Sequence, residues 1–306
     1  MSNVERYDDS LRESLHITGS KSLRSQEPVI KELASLKAKL KRKAKALDMN
    51  IFGVADVARW ESRPMYDGKG GKLTMEPVPI TPKEYWPQTI WPWARRVIVL
   101  GVQIFPSMIE TTPSVVYSEL YNTTNRFLDE AAYRIANVLN EQGFRAHFFP
   151  RDCYGDISVR VKKPEAAFSQ VLAGLYAGLG TIGMNHTLLT PEYGPRVRLV
   201  SVITDAELPA DKMQKKELCV RCRACARRCP MQAFTPKEGQ TVAQMDKFKC
   251  AGYHQKIKNE FRYPCGLCTA VCPVGADRKR WGASAVGKEG IAHCQNFGSK
   301  NAVENL

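Results

Sequence analysis

Apolar residues recur at helical spacing over residues 29–47, where Ile30, Leu33, Leu36, Leu40 and Leu47 alternate with Lys31, Lys37, Lys39, Lys41, Arg42, Lys43 and Lys45. This pattern predicts an amphipathic helix with a cationic outer face. Residues 51–57 read as a strand, and residues 97–105 form a continuous apolar run suited to a buried strand. Tyr121, Phe127, Leu128, Ile135, Val138 and Leu139 supply the buried face of a helix over 118–142, ended by Gly143. Residues 144–149 predict a further strand. Pro164 is placed to open a helix at its first turn, running through Phe168, Val171, Leu172 and Leu175 towards Gly178. Residues 197–203 predict the last strand of this part. Alternating strands and helices argue for an α/β layer domain over 29–210. Within it, residues 60–93 are rich in proline and aromatics and predict an irregular excursion that either walls a site or packs over the core. Residues 1–28 are polar without sustained periodicity and read as a flexible arm.

After residue 210 the pattern is set by cysteine. Eight of the ten cysteines fall between Cys219 and Cys272, as Cys219-x2-Cys222-x2-Cys225-x3-Cys229-Pro230, then Cys250, then Cys265-x2-Cys268-x3-Cys272-Pro273. The first run has the bacterial ferredoxin spacing, in which three close thiolates hold one [4Fe-4S] cluster and the fourth cysteine crosses to a second. That rule assigns Cys219, Cys222, Cys225 and Cys272 to one cluster, and Cys229, Cys250, Cys265 and Cys268 to the other. Zinc sites of four thiolates and a disulfide framework are the alternatives. The extra Cys225, the x3 spacing and the Cys-Pro endings favour iron–sulfur. Cys153 and Cys294 lie outside the pattern and read as ordinary thiols. Residues 211–280 are therefore expected to form a ferredoxin-like module with two [4Fe-4S] clusters, followed by a C-terminal tail over 281–306.

With 306 residues and 43% hydrophobic content the chain can bury a substantial core. No apolar run long enough to span a membrane and no apolar signal core is present, so a cytoplasmic location is expected. The formal charge is +14. Two clusters at −2 each would lower it to about +10. Such a basic balance suits RNA, an acidic electron donor or an anionic cofactor.

Gly178, Gly180 and Gly183 form a G-x-G-x-x-G, but they end a helix instead of following a strand, which excludes the dinucleotide fingerprint. They either allow backbone to approach a large flat group or make an ordinary helix-ending turn. The stretch Ala177-Gly-Leu-Gly-x-Ile-Gly-x-Asn185, the run Thr190-Pro-Glu-Tyr-Gly-Pro-Arg-Val-Arg198, a strand ending in Thr204-Asp205 and the two cysteine runs follow in that order. Over about residues 45–280 this arrangement resembles the cobalamin-dependent iron–sulfur reductases, a superfamily that includes epoxyqueuosine reductase and the reductive dehalogenases. The resemblance implies a nitroreductase-like α/β domain holding a corrinoid, followed by the ferredoxin-like module whose nearer cluster feeds electrons to cobalt. It places Gly178, Gly180, Gly183, Asn185, Tyr193 and Arg196 against the corrinoid.

The resemblance also implies a proton donor and a cationic residue beside the substrate. Tyr154 is the first candidate donor and Tyr193 the second, with Arg196 or Lys162 as the cation. Epoxyqueuosine reductases resemble one another in an aspartate about a dozen residues before the Ala-Gly-Leu-Gly turn, and residues 161–166 contain none. Asp152 and Asp156 lie further upstream, and Glu165 is the carboxylate within the span. His186 directly follows the glycine stretch and could touch corrinoid or substrate. His16 sits in a near-match to a cobalt-ligating motif that lacks its aspartate, and reads as a solvated arm residue. The reading with most support is a corrinoid-dependent reductase acting on a small organic substrate, with a reduced ferredoxin or flavodoxin-type electron donor. A tRNA-modifying enzyme and an electron-transfer or corrinoid-activating protein without its own substrate are the alternatives.

Overall fold

The computed structural model describes residues 23–66, 73–152, 155–281 and 288–296. Its centre is a four-stranded sheet in the order β1 (Ile51–Asp56), β4 (Arg96–Gln103), β8 (Val197–Thr204) and β5 (Ala146–Phe149). All three pairings are antiparallel. Alternating strands and helices left strand direction open, and the mixed α/β class holds with an antiparallel sheet.

The apolar strands are covered on both faces, which explains their continuous hydrophobic runs. Because side chains alternate across a pleated strand, Val97 and Val99 face one core while Ile98, Leu100 and Val102 face the other. On one side lie α1 (Leu23–Ala46) and the long α2 (Val115–Glu141), whose Leu40, Ala44, Leu128, Ile135 and Leu139 are fully buried. On the other lie α4 (Gln170–Tyr176), Trp60 and Phe168. The result is a three-layer α/β/α arrangement.

Several boundaries differ from expectation for local reasons. The long helix starts at Val115, because the Ser114 side chain accepts from the Tyr117 N–H and caps it. Phe127 is 56% exposed and does not belong to the buried face. Pro164 opens no helix: α4 begins at Gln170, where Ser169 accepts from the Leu172 N–H. The excursion over 60–93 contains a hairpin of β2 (Arg63–Tyr66) and β3 (Leu73–Glu76) and single helical turns. It packs on the core through Trp60 and Trp86 and also walls a cavity through Ile80, Thr81, Pro82 and Tyr85. Helix α1 begins inside the stretch read as an arm. His16, Cys153 and Tyr154 lie outside the described residues.

The cysteine-rich segment carries the short α5 (Ala224–Arg228), α6 (Lys247–Lys258) and α7 (Leu267–Ala270). A small two-stranded ribbon joins β9 (Phe234–Thr235) to β10 (Gln244–Met245). Beyond it a nine-residue helix, Lys288–Asn296, lies within the span expected to be a tail. There Gln295 donates to the Thr112 carbonyl. No helix among the described residues is long and apolar enough to cross a membrane.

Candidate functional site

The eight patterned cysteines separate into two quartets. Cys219, Cys222, Cys225 and Cys272 line one small cavity of about 20 Å³, closed by Met184, Asn185 and Leu189. Cys229, Cys250, Cys265 and Cys268 all line a second, far larger cavity of about 960 Å³. The lining of each cavity contains one of the two expected sets, and Cys219, Cys225, Cys229 and Cys268 also pack in a common cluster. Tight local backbone makes the first set possible: Arg221 and Arg223 adopt positive φ, turning the chain around the Cys219–Cys225 run.

The thiol environments fit a cationic multi-iron core. Burial, reinforced by neighbouring cysteines, pushes the Cys272 thiol up to about 11 and the Cys265 thiol up to about 12. Burial likewise raises Cys225, Cys250 and Cys268. Crowded buried thiols resist ionisation unless a bound cation compensates the thiolate charge. Among the described residues no three His, Cys, Asp or Glu side chains converge on a point suited to a single metal ion. Each quartet instead lines a cavity, as the ligands of a polynuclear centre would.

The glycine stretch packs against this chain's own backbone. A Cβ on Gly178 (φ +75°) would stand 2.1 Å from the Lys212 carbonyl oxygen, and one on Gly180 would stand 1.9 Å from that of Leu189. Both glycines answer to close approach of protein, and neither lines a cavity. Gly183 is likewise crowded, by the Leu189 side chain. What this turn presents to the large cavity is Ile182, Asn185, His186 and Thr187. Asn185 donates through Nδ2 to the Cys268 carbonyl at 3.2 Å and accepts at Oδ1 from the Thr187 hydroxyl at 2.7 Å. It therefore borders both cavities and pins the second quartet to the α/β layer. His186 lies in a positive-φ turn, with Nε2 2.6 Å from the Ala243 carbonyl oxygen.

Arg196 occupies a different place from the one implied by resemblance. It is fully buried and grips Asp277 with both arms, Nε to Oδ2 at 2.7 Å and Nη2 to Oδ1 at 2.6 Å. Nη1 donates to the Cys272 carbonyl and Nη2 to that of Val274. With its donors spent inside the protein it holds the last cysteine run in position and does not line the large cavity. Tyr193 is half-buried against the core and lines neither cavity. Lys162 is exposed at the end of α3 (Ile157–Lys162). Asp156 caps that helix and pairs with Lys258. Glu165 accepts from the Tyr85 hydroxyl at the cavity edge.

The polar cluster inside the large cavity was not singled out from sequence. The Tyr121 hydroxyl donates to Asp152 Oδ1 at 2.9 Å, and Arg198 Nη2 donates to the same oxygen at 3.1 Å. The Arg198 guanidinium lies over the Tyr121 ring, 4.1 Å from its centroid, and also donates to Asn125 Oδ1. Tyr117, Tyr263 and Phe168 add aromatic walls. These residues come from α2, the β5–α3 loop, β8 and the cysteine segment. The one sequence signal was the second arginine of the Pro-Arg-Val-Arg run. Arg198 is the second residue of β8, whereas Arg196 precedes that strand, and the two side chains meet different partners.

Comparison with known proteins follows this geometry. Residues 218–276 match the family described as 4Fe-4S dicluster domain. A tetrachloroethene reductive dehalogenase of Desulfitobacterium hafniense is 33% identical over 193 residues, 58% of this chain and 32% of its own length. An epoxyqueuosine reductase of Bacillus cereus is 27% identical over 199 residues, 61% of this chain and 50% of its own length. The chain is thus similar in sequence to reductive dehalogenases and to epoxyqueuosine reductases. The match spans about a third of the length of that dehalogenase. A solved reductive dehalogenase, studied for B12-dependent dehalogenation, shares the fold with a TM-score of 0.53 at 17% identity. That similarity covers 91% of this chain and 39% of the other.

Proposed function

We propose that the protein is a corrinoid-dependent reductase in which two [4Fe-4S] clusters serve a buried site that reduces a small organic substrate, in the manner of reductive dehalogenases. The observation that carries this reading is the shared cavity. At about 960 Å³ it lies at the upper end of ligand-pocket sizes. One complete cysteine quartet and the Tyr121–Asp152–Arg198 cluster open into it together. The residues fit both cofactors: thiol quartets for the clusters, and for the corrinoid a large cavity bordered by Asn185, His186 and Thr187. A corrinoid bound there supplies a metal centre able to hold a reducing electron pair.

The chain's own residues then do three things. Aromatic and aliphatic walls from Trp60, Tyr117, Phe168 and Leu172 limit water around the reacting atoms. Tyr121, oriented by the Asp152 carboxylate, holds a proton at its Oη for the reacting carbon, and solvent restores it after turnover. Arg198 sets a fixed positive charge beside it, which steadies negative charge developing on substrate. Tyr121 and Arg198 take the donor and cation roles in place of Tyr193 and Arg196. For an organohalide the balance is two electrons and one proton consumed, a carbon–halogen bond broken, a carbon–hydrogen bond formed and halide released. The first quartet, set apart from the cavity and partly exposed, suits electron uptake from a donor protein in the cytoplasm.

Anaerobic reconstitution with iron and sulfide, followed by addition of cobalamin, tests the reading. Iron near eight atoms per chain, as two four-iron clusters require, with tight cobalamin retention and halide release under reduced methyl viologen, is the expected result. Filled clusters that retain no cobalamin would refute the enzyme and leave electron transfer as the activity. Turnover on an epoxyqueuosine-modified tRNA stem loop, with none on organohalides, would move the substrate to tRNA.

A further inference from the structure

We propose that the surface around Cys222 is the docking site of a small acidic one-electron carrier protein. This rests on the reading of the cysteine quartets as iron–sulfur sites. Cys222 is the exposed member of the first quartet, and Val220 beside it is 64% exposed. Lys215, Lys216, Arg221, Arg223 and Arg227, all exposed, flank these two along the chain, and Arg227 donates to the Cys222 carbonyl. The sole acidic residue of the sequence between 212 and 228 is Glu217, and Arg221 pairs with it at 2.9 Å. The remaining cations therefore give this segment a strong positive excess beside a small apolar centre.

That anatomy matches a transient electron-transfer encounter, which is small and is guided by complementary charge. The partner is a protein carrier and not RNA because residues 212–233 contain no Phe, Tyr or Trp on which a base could stack. The patch also lies at the quartet that does not line the large cavity, so a docked carrier leaves the substrate site free. Each encounter oxidises one carrier by one electron and reduces the protein by one. Two encounters supply the pair consumed per substrate.

The test uses the full chain with its clusters reconstituted and a reduced acidic plant-type [2Fe-2S] ferredoxin as probe. Stopped-flow bleaching should show a second-order rate that falls about tenfold or more between about 20 and 300 mM salt. The Lys215→Glu/Lys216→Glu variant should lose about tenfold in that rate at low salt. Affinity for the oxidised ferredoxin, measured by calorimetry, should fall in the same variant. Reduction by methyl viologen radical, which needs no docking surface, should be unchanged in it. Unchanged ferredoxin rate and affinity alongside normal viologen reduction would overturn the docking site alone. Failure of viologen to reduce the parent protein would overturn the iron–sulfur reading beneath it. Loss of tRNA stem-loop binding in the double variant, with ferredoxin unaffected, would reassign the patch to RNA.

Discussion

Replacing Asp277 by Asn should destabilise the protein more than any removal of a surface ion pair. The carboxylate is 3% exposed and its partner Arg196 is 0% exposed. Asn keeps one acceptor for the guanidinium but removes the negative charge, leaving a buried cation balanced only by the Cys272 and Val274 carbonyls. Breaking a buried pair in this way costs about 3–5 kcal/mol. Two charge-assisted hydrogen bonds at about 1.5–3 kcal/mol each reach the same range. At about 2–4 °C per kcal/mol for a chain of this size, the midpoint of thermal unfolding should fall by about 10 °C. Anaerobic circular dichroism melts of the cluster-loaded protein measure this, with iron content reporting whether the Cys272 quartet fails first. The double variant Arg196→Met/Asp277→Leu should recover part of the loss, because no charge is left unpaired. Recovery stays partial because the two carbonyls lose their donors. A shift below about 2 °C for Asp277→Asn, with weakened cobalamin retention, would refute the structural role of Arg196 and return it to the cofactor site.

Replacing Cys229 by Ser should deplete the cluster that borders the large cavity and spare the other, halving iron content and removing one of two electron paramagnetic resonance signals. Selective loss of the other signal would contradict the quartets. Tyr121→Phe should lower turnover by about 10²–10⁴-fold while leaving cobalamin bound, and an unchanged rate would remove Tyr121 as proton donor. Gly180→Ala should cost about 3 kcal/mol, since a Cβ would sit 1.9 Å from the Leu189 carbonyl oxygen. Denaturant melts check it. His147, set between Trp91 and Trp93, has its pKa lowered by burial. The unfolded chain therefore binds the extra proton first, and stability contributed by the neutral ring is lost as pH falls below about 6.5. His147→Phe should flatten that acid slope in melts compared between about pH 7.5 and 5.5.

Some features were legible in the chain because they are local. Cysteine spacing sorts eight thiols into two sets without any knowledge of the fold, since a ligand run of fixed length constrains which sulfurs can share a cluster. The apolar run over β4 announced a buried strand, and the 3.6-residue pattern of α1 and α2 announced their buried stripes. Antiparallel pairing was a tertiary outcome, because a buried strand reads alike in either direction. The roles of the two arginines in the Pro-Arg-Val-Arg run were also decided only in three dimensions. Arg196 meets Asp277, 81 residues away, and Arg198 meets Asp152, 46 residues away. Likewise the glycines signalled close approach, and the fold alone supplied what approaches: the carbonyls of Lys212 and Leu189. Spacing along the chain specifies which atoms a short segment can offer, whereas charge partners and cavity walls come from segments that meet only after folding.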